Sequence, residues 1–364
     1  MFSAQDSVWM AQALRLAERG LYTTSPNPRV GCVLVKDGAV IGEGWHERAG
    51  EPHAEVHALH AAGEAARGAT AYVTLEPCSH HGRTPPCADA LIEAGVTRVV
   101  VAVQDLNPEV AGAGIAKLRV AGIAVECGLM EVEARELNIG FFARMTRGWP
   151  WLRSKIAMSL DGRTALANGA SQWITGEAAR LDVQRWRARS CTMLTGIGTV
   201  LADNARLNVR DVATTRQPLR VVLDSRLRMP LDARILYGGG KVLIYAAADE
   251  TGKAVMLRDL GAEVAILPDT GGQVDLAAML RDLGGRGINE VMVEAGSTLN
   301  GALLRGGLVD ELLLYVAPQL LGDAARSMAQ LGELASLEQR VNLKWQDMRQ
   351  VGNDLRILAK VEKG

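Results

Sequence analysis

Ala71-Tyr72-Val73-Thr74-Leu75-Glu76-Pro77-Cys78-Ser79-His80-His81-Gly82-Arg83-Thr84-Pro85-Pro86-Cys87 decides how the first part of the chain folds. Ala71 to Leu75 is short and mostly apolar, which predicts a strand. Cys87 to Ala94 has helical spacing and stops at Gly95. Arg98 to Val103 is a continuous apolar run, as a strand buried on both faces requires. Upstream, His53 to Ala66 is rich in Ala and Glu and reads as a helix. Val30 to Val35 and Val40 to Trp45 flank Lys36-Asp37-Gly38 and read as a hairpin. Met10, Ala13, Leu14, Ala17 and Leu21 recur at helical spacing, with Asp6 or Ser7 as a start and Gly20 as a stop. Alternating strands and helices predict a layered α/β domain.

The pattern restarts beyond Gly148-Trp149-Pro150, after a helical run from Glu131 to Arg147. With 364 residues the chain has room for two domains, 1–147 and 148–364. Strands are predicted at Ser154 to Met158, Thr192 to Thr195, Leu219 to Leu223, Val242 to Tyr245, Ala262 to Leu267, Val291 to Glu294, Glu311 to Val316 and Leu355 to Val361. The charge is balanced at 40 basic and 41 acidic residues, so bulk charge holds no nucleic acid or membrane partner. No apolar stretch is long enough to cross a bilayer, and no signal pattern opens the chain, so the expected location is cytoplasmic. Five cysteines are too few and too scattered for a disulfide framework.

All six histidines lie before residue 82 and two of the cysteines fall in the same region, which places any metal chemistry in the first third of the chain. His53-Ala54-Glu55, Pro77-Cys78 and Cys87 form the pattern of a zinc deaminase: one His and two Cys as ligands, and a Glu that is not a ligand. Three protein ligands leave a fourth position open for water, whose pKa the cation lowers. Glu55, two residues after His53 at a helix start, is placed to carry the proton. His53, Cys78 and Cys87 are therefore the expected metal ligands and Glu55 the expected catalytic residue. The generic spacing between the two cysteines is two residues; here it is eight. A rival set, His53, His57 and His60, spans about 10 Å along a helix, too far for one zinc.

The second half carries no Gly-x-Gly-x-x-Gly after a strand, so an ordinary dinucleotide fingerprint is absent. Gly196-Ile197-Gly198-Thr199 and Glu294 to Gly301 each follow a predicted strand and open a helix, where small residues and free N–H groups suit a phosphate. Ordinary strand–turn–helix connections look the same. Arg187, Arg206 and Arg210 could clamp a phosphate.

Ser25-Pro26-Asn27-Pro28-Arg29-Val30-Gly31, His53-Ala54-Glu55 and Thr74 to Cys87 together closely resemble the bifunctional deaminase/reductase family of riboflavin biosynthesis. The eight-residue gap is that family's own form of the motif. Ser154 to Gly162, Gly169 to Ile174, Gly198 to Asp203 and Glu294-Ala295-Gly296 extend the resemblance over almost the whole chain. It implies an N-terminal cytidine-deaminase-like three-layer domain and a C-terminal dihydrofolate-reductase-like α/β domain. It implies one Zn²⁺ per deaminase domain, and NADPH. Carried over by position, Asn27 and His80 would meet the pyrimidine. Ala157, Trp173, Thr199, Asp203, Ser225, Gly296, Ser297, Thr298, Leu299, Asn300, Gly301 and Ala302 would meet NADPH. Ser171, Arg187, Leu207, Arg210 and Glu294 would meet the phosphoribosyl substrate, with Lys155 and Asp161 near the reacting sugar. The family often has Asp-Asp-Pro where this chain has Asp203-Asn204-Ala205, and an acidic residue near Cys191. Small phosphoribosyl pyrimidines are the implied partners, and paired active sites in similar enzymes imply a homo-oligomer.

Two other readings compete. A zinc nucleobase deaminase with a non-catalytic second domain would want a basic, aromatic-rich groove for nucleic acid. Balanced charge and 4% aromatic residues argue against it. A binding protein with a structural zinc would want a fourth protein ligand, which His80 or His81 could supply.

Overall fold

The computed structural model describes residues 2–79, 85–108 and 110–363. The chain forms two compact units, Met1–Gly148 and Trp149–Gly364.

The first unit runs α1 (Ala4–Glu18), β1 (Gly31–Lys36), β2 (Ala39–Trp45), α2 (Ala54–Ala62), β3 (Thr70–Val73), α3 (Cys87–Glu93), β4 (Arg98–Val101), α4 (Ala113–Val120), β5 (Ala124–Cys127), α5 (Glu131–Leu137) and α6 (Ile139–Arg147). Its five-stranded sheet has the order β2-β1-β3-β4-β5. β1 pairs antiparallel with β2 and β3, and β3, β4 and β5 are parallel. Side chains alternate along a strand, so β1 feeds both faces. Val33 and Val35 pack with Met10 and Leu14 of α1 and Phe141 and Phe142 of α6. Cys32 and Leu34 pack with Ala54 and Ala58 of α2, Leu91 of α3 and Leu118 of α4. The result is three layers, helix–sheet–helix.

Two expectations shift for legible reasons. α1 starts earlier than Asp6 or Ser7, because Ser3 caps it in a reciprocal box with Asp6. The run from Glu131 to Arg147 breaks at Asn138. The Asn138 amide leaves the helix path to accept from the Arg29 N–H at 2.7 Å and donate to the Arg29 carbonyl at 2.8 Å.

The second unit runs β6 (Trp151–Ser159), β7 (Arg163–Ala165), α7 (Glu177–Arg189), β8 (Thr192–Gly196), α8 (Ile197–Asp203), β9 (Leu219–Leu223), α9 (Arg234–Tyr237), β10 (Val242–Ala246), α10 (Lys253–Asp259), β11 (Ala262–Ile266), α11 (Leu276–Gly285), β12 (Glu290–Val293), α12 (Ser297–Arg305), β13 (Glu311–Ala317), β14 (Arg326–Ser327), β15 (Leu343–Val351) and β16 (Asp354–Val361). The nine-stranded sheet has the order β11-β10-β9-β8-β12-β6-β13-β16-β15. It is parallel as far as β13, then ends in the antiparallel pair β16 and β15. β12 inserts between β8 and β6, so the strand order reverses there. In open sheets of this kind, ligands bind outside the carboxyl ends of the strands at that reversal. Among the described residues, no helix is long and apolar enough to cross a membrane.

Close approach of α2 to β2 requires glycine. A Cβ on Gly44 would stand 2.3 Å from the Ala54 carbonyl oxygen. Gly44→Ala should therefore push the start of α2 outward and destabilise the first unit by about 1–3 kcal/mol, read by urea unfolding. Unchanged stability would mean that α2 is free to shift.

Candidate deaminase and reductase sites

Three elements bring the first site together. His53 is the N-cap of α2, Cys78 lies beyond the end of β3, and Cys87 opens α3. One donor atom from each lies within 4.8 Å of the others. His53 Nδ1 is 3.3 Å from Cys87 Sγ and 3.6 Å from Cys78 Sγ. The Cys87 N–H donates to Cys78 Sγ at 3.3 Å. Hydrogen bonding from Cys87 holds the Cys78 thiol well below the ordinary thiol range, with His53 adding to the effect. The same bond and burial push Cys87 up. Two thiols and an imidazole suit zinc, and three protein donors leave one tetrahedral position over. Among the described residues this is the one such cluster. His57 and His60 take no part in it, and His60 is exposed.

Glu55 is buried in the first turn of α2. Burial pushes its carboxyl up to about 7, against the pull of His53. A group balanced near neutrality can both take and give a proton. Asn27 donates from Nδ2 towards His46 Nε2 at 3.1 Å. His46 Nδ1 faces the Pro52 carbonyl at 3.1 Å, so the proton belongs on Nδ1 and Nε2 is the acceptor. His46 is 2% exposed and packs edge-on against His53. Sequence reading assigns this histidine no role, since only its contacts in the fold distinguish it. His80, His81 and Arg83 lie outside the described residues.

The second site is a crevice of about 1700 Å³ at the carboxyl ends of β6, β8, β9 and β12. Ala157, Trp173, Thr199, Asp203, Ser225, Gly296, Ser297, Thr298, Leu299 and Ala302 line it, as do Lys155, Ser171, Arg187, Leu207, Arg210 and Glu294. Three expected residues do not. Asn300 is buried, donating to the carbonyls of Ala295 and Met328 and accepting from Ser154 Oγ. Gly301 faces the chain instead: a Cβ there would stand 2.1 Å from the Gln330 carbonyl oxygen. Asp161 accepts from the backbone N–H groups of Leu321 and Gly322, at 3.2 and 2.8 Å, and holds that turn. These three shape the walls and stay out of the crevice.

Glu294 anchors the crevice floor. Arg187 Nε and Nη2 reach its two carboxylate oxygens at 2.7 and 2.9 Å, and Lys155 Nζ is 3.9 Å away. Burial alone would raise the carboxyl, but Arg187 and Lys155 outweigh it and hold Glu294 at about 2. Burial lowers Lys155, opposed by Glu294. Asn204 ends α8 in the left-handed region, with φ 46°. Asparagine tolerates that conformation. Its Oδ1 accepts from the Arg234 N–H at 2.8 Å, so the loop is tied without proline. Arg226 and Arg228, which the sequence left unassigned, also line the crevice.

Fold and site together define a two-headed enzyme, a zinc-dependent deaminase on one unit and a nicotinamide-dependent reductase on the other. The family described as "Cytidine and deoxycytidylate deaminase zinc-binding region" matches residues 3–103. The "RibD C-terminal domain" family matches residues 150–357. The Escherichia coli K12 riboflavin biosynthesis protein RibD is 51% identical, covering 96% of this chain and 98% of that protein. Acinetobacter baumannii RibD is 49% identical with a TM-score of 0.92, covering 99% of each chain. A Thermotoga maritima diaminohydroxyphosphoribosylaminopyrimidine deaminase/5-amino-6-(5-phosphoribosylamino)uracil reductase is 33% identical with a TM-score of 0.87, covering 98% of this chain and 99% of that one. The chain belongs to the RibD family and is a bifunctional enzyme of riboflavin biosynthesis. A nucleobase deaminase with an idle second domain is not favoured.

The Glu294 pairing gives a pH signature. Its folded pKa of about 2 lies below the ordinary 4.5. The ionised form therefore stabilises the fold above pH 4.5, and that stabilisation is lost as the pH falls towards 2. Full expression of the shift corresponds to about 3 kcal/mol. The stability gap between wild type and Glu294→Gln, from urea unfolding, should be widest near neutrality and shrink on acidification. A gap independent of pH would show that the charge on Glu294 is irrelevant.

Proposed function

We propose that residues 1–147 deaminate 2,5-diamino-6-(5-phosphoribosylamino)pyrimidin-4(3H)-one. We propose that residues 148–364 use NADPH to reduce the ribosyl group of 5-amino-6-(5-phosphoribosylamino)uracil to ribityl. The buried Glu55 beside the His53, Cys78 and Cys87 donors carries the first assignment. One zinc per deaminase domain, held by those three residues, would supply an activated water. Glu55 takes a proton from the incoming water and returns one to the departing amino group, so ammonia leaves as the ring carbon gains oxygen. Asn27, held by His46, presents its amide to the pyrimidine.

In the crevice, the cofactor would supply the hydride. Trp173, Thr199, Asp203, Ser225 and the start of α12 contribute its walls. Arg226 and Arg228 follow Ser225 with exposed guanidinium groups, which favours a cofactor carrying an extra phosphate, NADPH over NADH. The Arg187–Glu294 pair sets one arginine edge beside Lys155 and Arg210, where an anionic phosphoribosyl group fits. Asp161 is a positioning residue for the 321–322 turn. The partners are small phosphoribosyl pyrimidines.

Glu55→Gln should lower ammonia release ~10²–10⁴-fold while zinc content and NADPH oxidation on the aminouracil substrate stay at wild-type levels. Ammonia release at the wild-type rate would remove Glu55 from the chemistry and contradict the deaminase assignment.

A further inference from the structure

Cys78 reaches the first site through Glu76 and Pro77, and the Glu76 side chain is 3% exposed. A carboxylate this deep usually meets a cation. Glu76 instead takes four backbone N–H groups. Its Oε2 accepts from Asp105 at 3.1 Å and Gly112 at 3.0 Å. Its Oε1 accepts from Gly114 at 2.9 Å and Ile115 at 3.2 Å. Gly114 and Ile115 lie in the first turn of α4, where N–H groups lack partners within the helix. A negative charge is also favoured at that end. The Glu76 N–H donates to the Val103 carbonyl at 3.0 Å. One side chain thus ties the exit of β3 to the loop after β4 and to the start of α4.

The next residue is clamped by contact. A Cβ on Gly114 would stand 1.9 Å from the Pro77 carbonyl oxygen, so α4 abuts the Pro77–Cys78 peptide. From the other side, α3 holds Cys78: the Ala88 N–H donates to its carbonyl at 3.1 Å and the Cys87 N–H to its sulfur. Cys78 is fixed between two helix starts.

We infer that Glu76 is a positioning residue of the metal site: its four-bonded carboxylate sets the Pro77–Cys78 peptide so that the Cys78 sulfur meets His53 and Cys87. This rests on the reading that those three residues hold zinc. The carboxylate is chemically required. A glutamine oxygen could still serve Gly114 and Ile115, but its NH₂ would face the N–H groups of Asp105 and Gly112, donor against donor. Two buried N–H groups would lose their acceptor, and the loop would move to find others.

The test uses the full-length chain. In Glu76→Gln, zinc affinity measured by chelator competition should fall ~10–100-fold, the range for residues that orient metal ligands. The sulfur-to-metal absorption of the cobalt(II)-substituted protein should shift, while reductase turnover on the same chain stays unchanged. Gly114→Ala displaces the same peptide without altering charge and should act in the same direction. Leu14→Ala removes core from the opposite face of the sheet and should lower the melting temperature without weakening zinc. Zinc held by Glu76→Gln as tightly as by wild type would overturn the inference. So would a loss no greater than that of Leu14→Ala at an equal fall in melting temperature. Failure of the wild-type chain to bind zinc, or zinc retained after Cys78→Ser, would overturn the metal-site reading itself.

Discussion

Two sulfurs and an imidazole nitrogen converge within 4.8 Å beneath a layer of helices. Polar donors gathered in so small a space, with Cys87 buried and His53 and Cys78 half-buried, are costly unless something joins them. The surrounding architecture serves that convergence. Glycines in β2 let α2 lie close enough to deliver His53, and the first turn of α3 delivers Cys87. Glu76 and α4 fix the approach of Cys78. The burial that confines the donors also raises the Glu55 carboxyl to about 7. The convergence of the three donors and the raised Glu55 carboxyl are thus consequences of one packing arrangement.

The second unit solves a different problem with a similar economy. Its parallel sheet leaves a crevice where the strand order reverses, and the walls come from strand ends and helix starts. Lys155, Arg187 and Arg210 place positive charge around one carboxylate, Glu294. Glu294 orients Arg187 by a two-pronged contact, and the remaining positive charge can meet an anionic ligand. Asn300, Gly301 and Asp161 serve as struts behind this surface.

The clustering of His53, Cys78 and Cys87 was legible because these residue types are rare and sit at helix and strand boundaries that the apolar pattern marks. The predicted strand from Leu219 to Leu223 is observed without change, since parallel strands buried on both faces read as plain apolar runs. β15 was not legible: it lies at the sheet edge with most of its side chains exposed, and Leu343 to Val351 has little apolar signal. The break at Asn138 depends on a bond to Arg29, and the role of Glu76 on N–H groups about thirty or more residues ahead. His46 is found only through Asn27 and Pro52. Long-range hydrogen bonds of this kind leave no periodicity for the sequence to display. Asn300 and Gly301 fell outside the crevice because a continuous stretch was assigned to the cofactor, whereas past its first residues a helix brings only positions three or four apart, such as Thr298 and Ala302, to the same face.

The most direct test of the account is a two-stage assay on zinc-loaded full-length protein with the diaminopyrimidinone ribosyl phosphate. Ammonia would be followed first without reduced cofactor, and NADPH oxidation after its addition. Ammonia release followed by NADPH consumption on the same chain is the predicted result. Bound zinc with no ammonia release would make the metal structural and contradict the account.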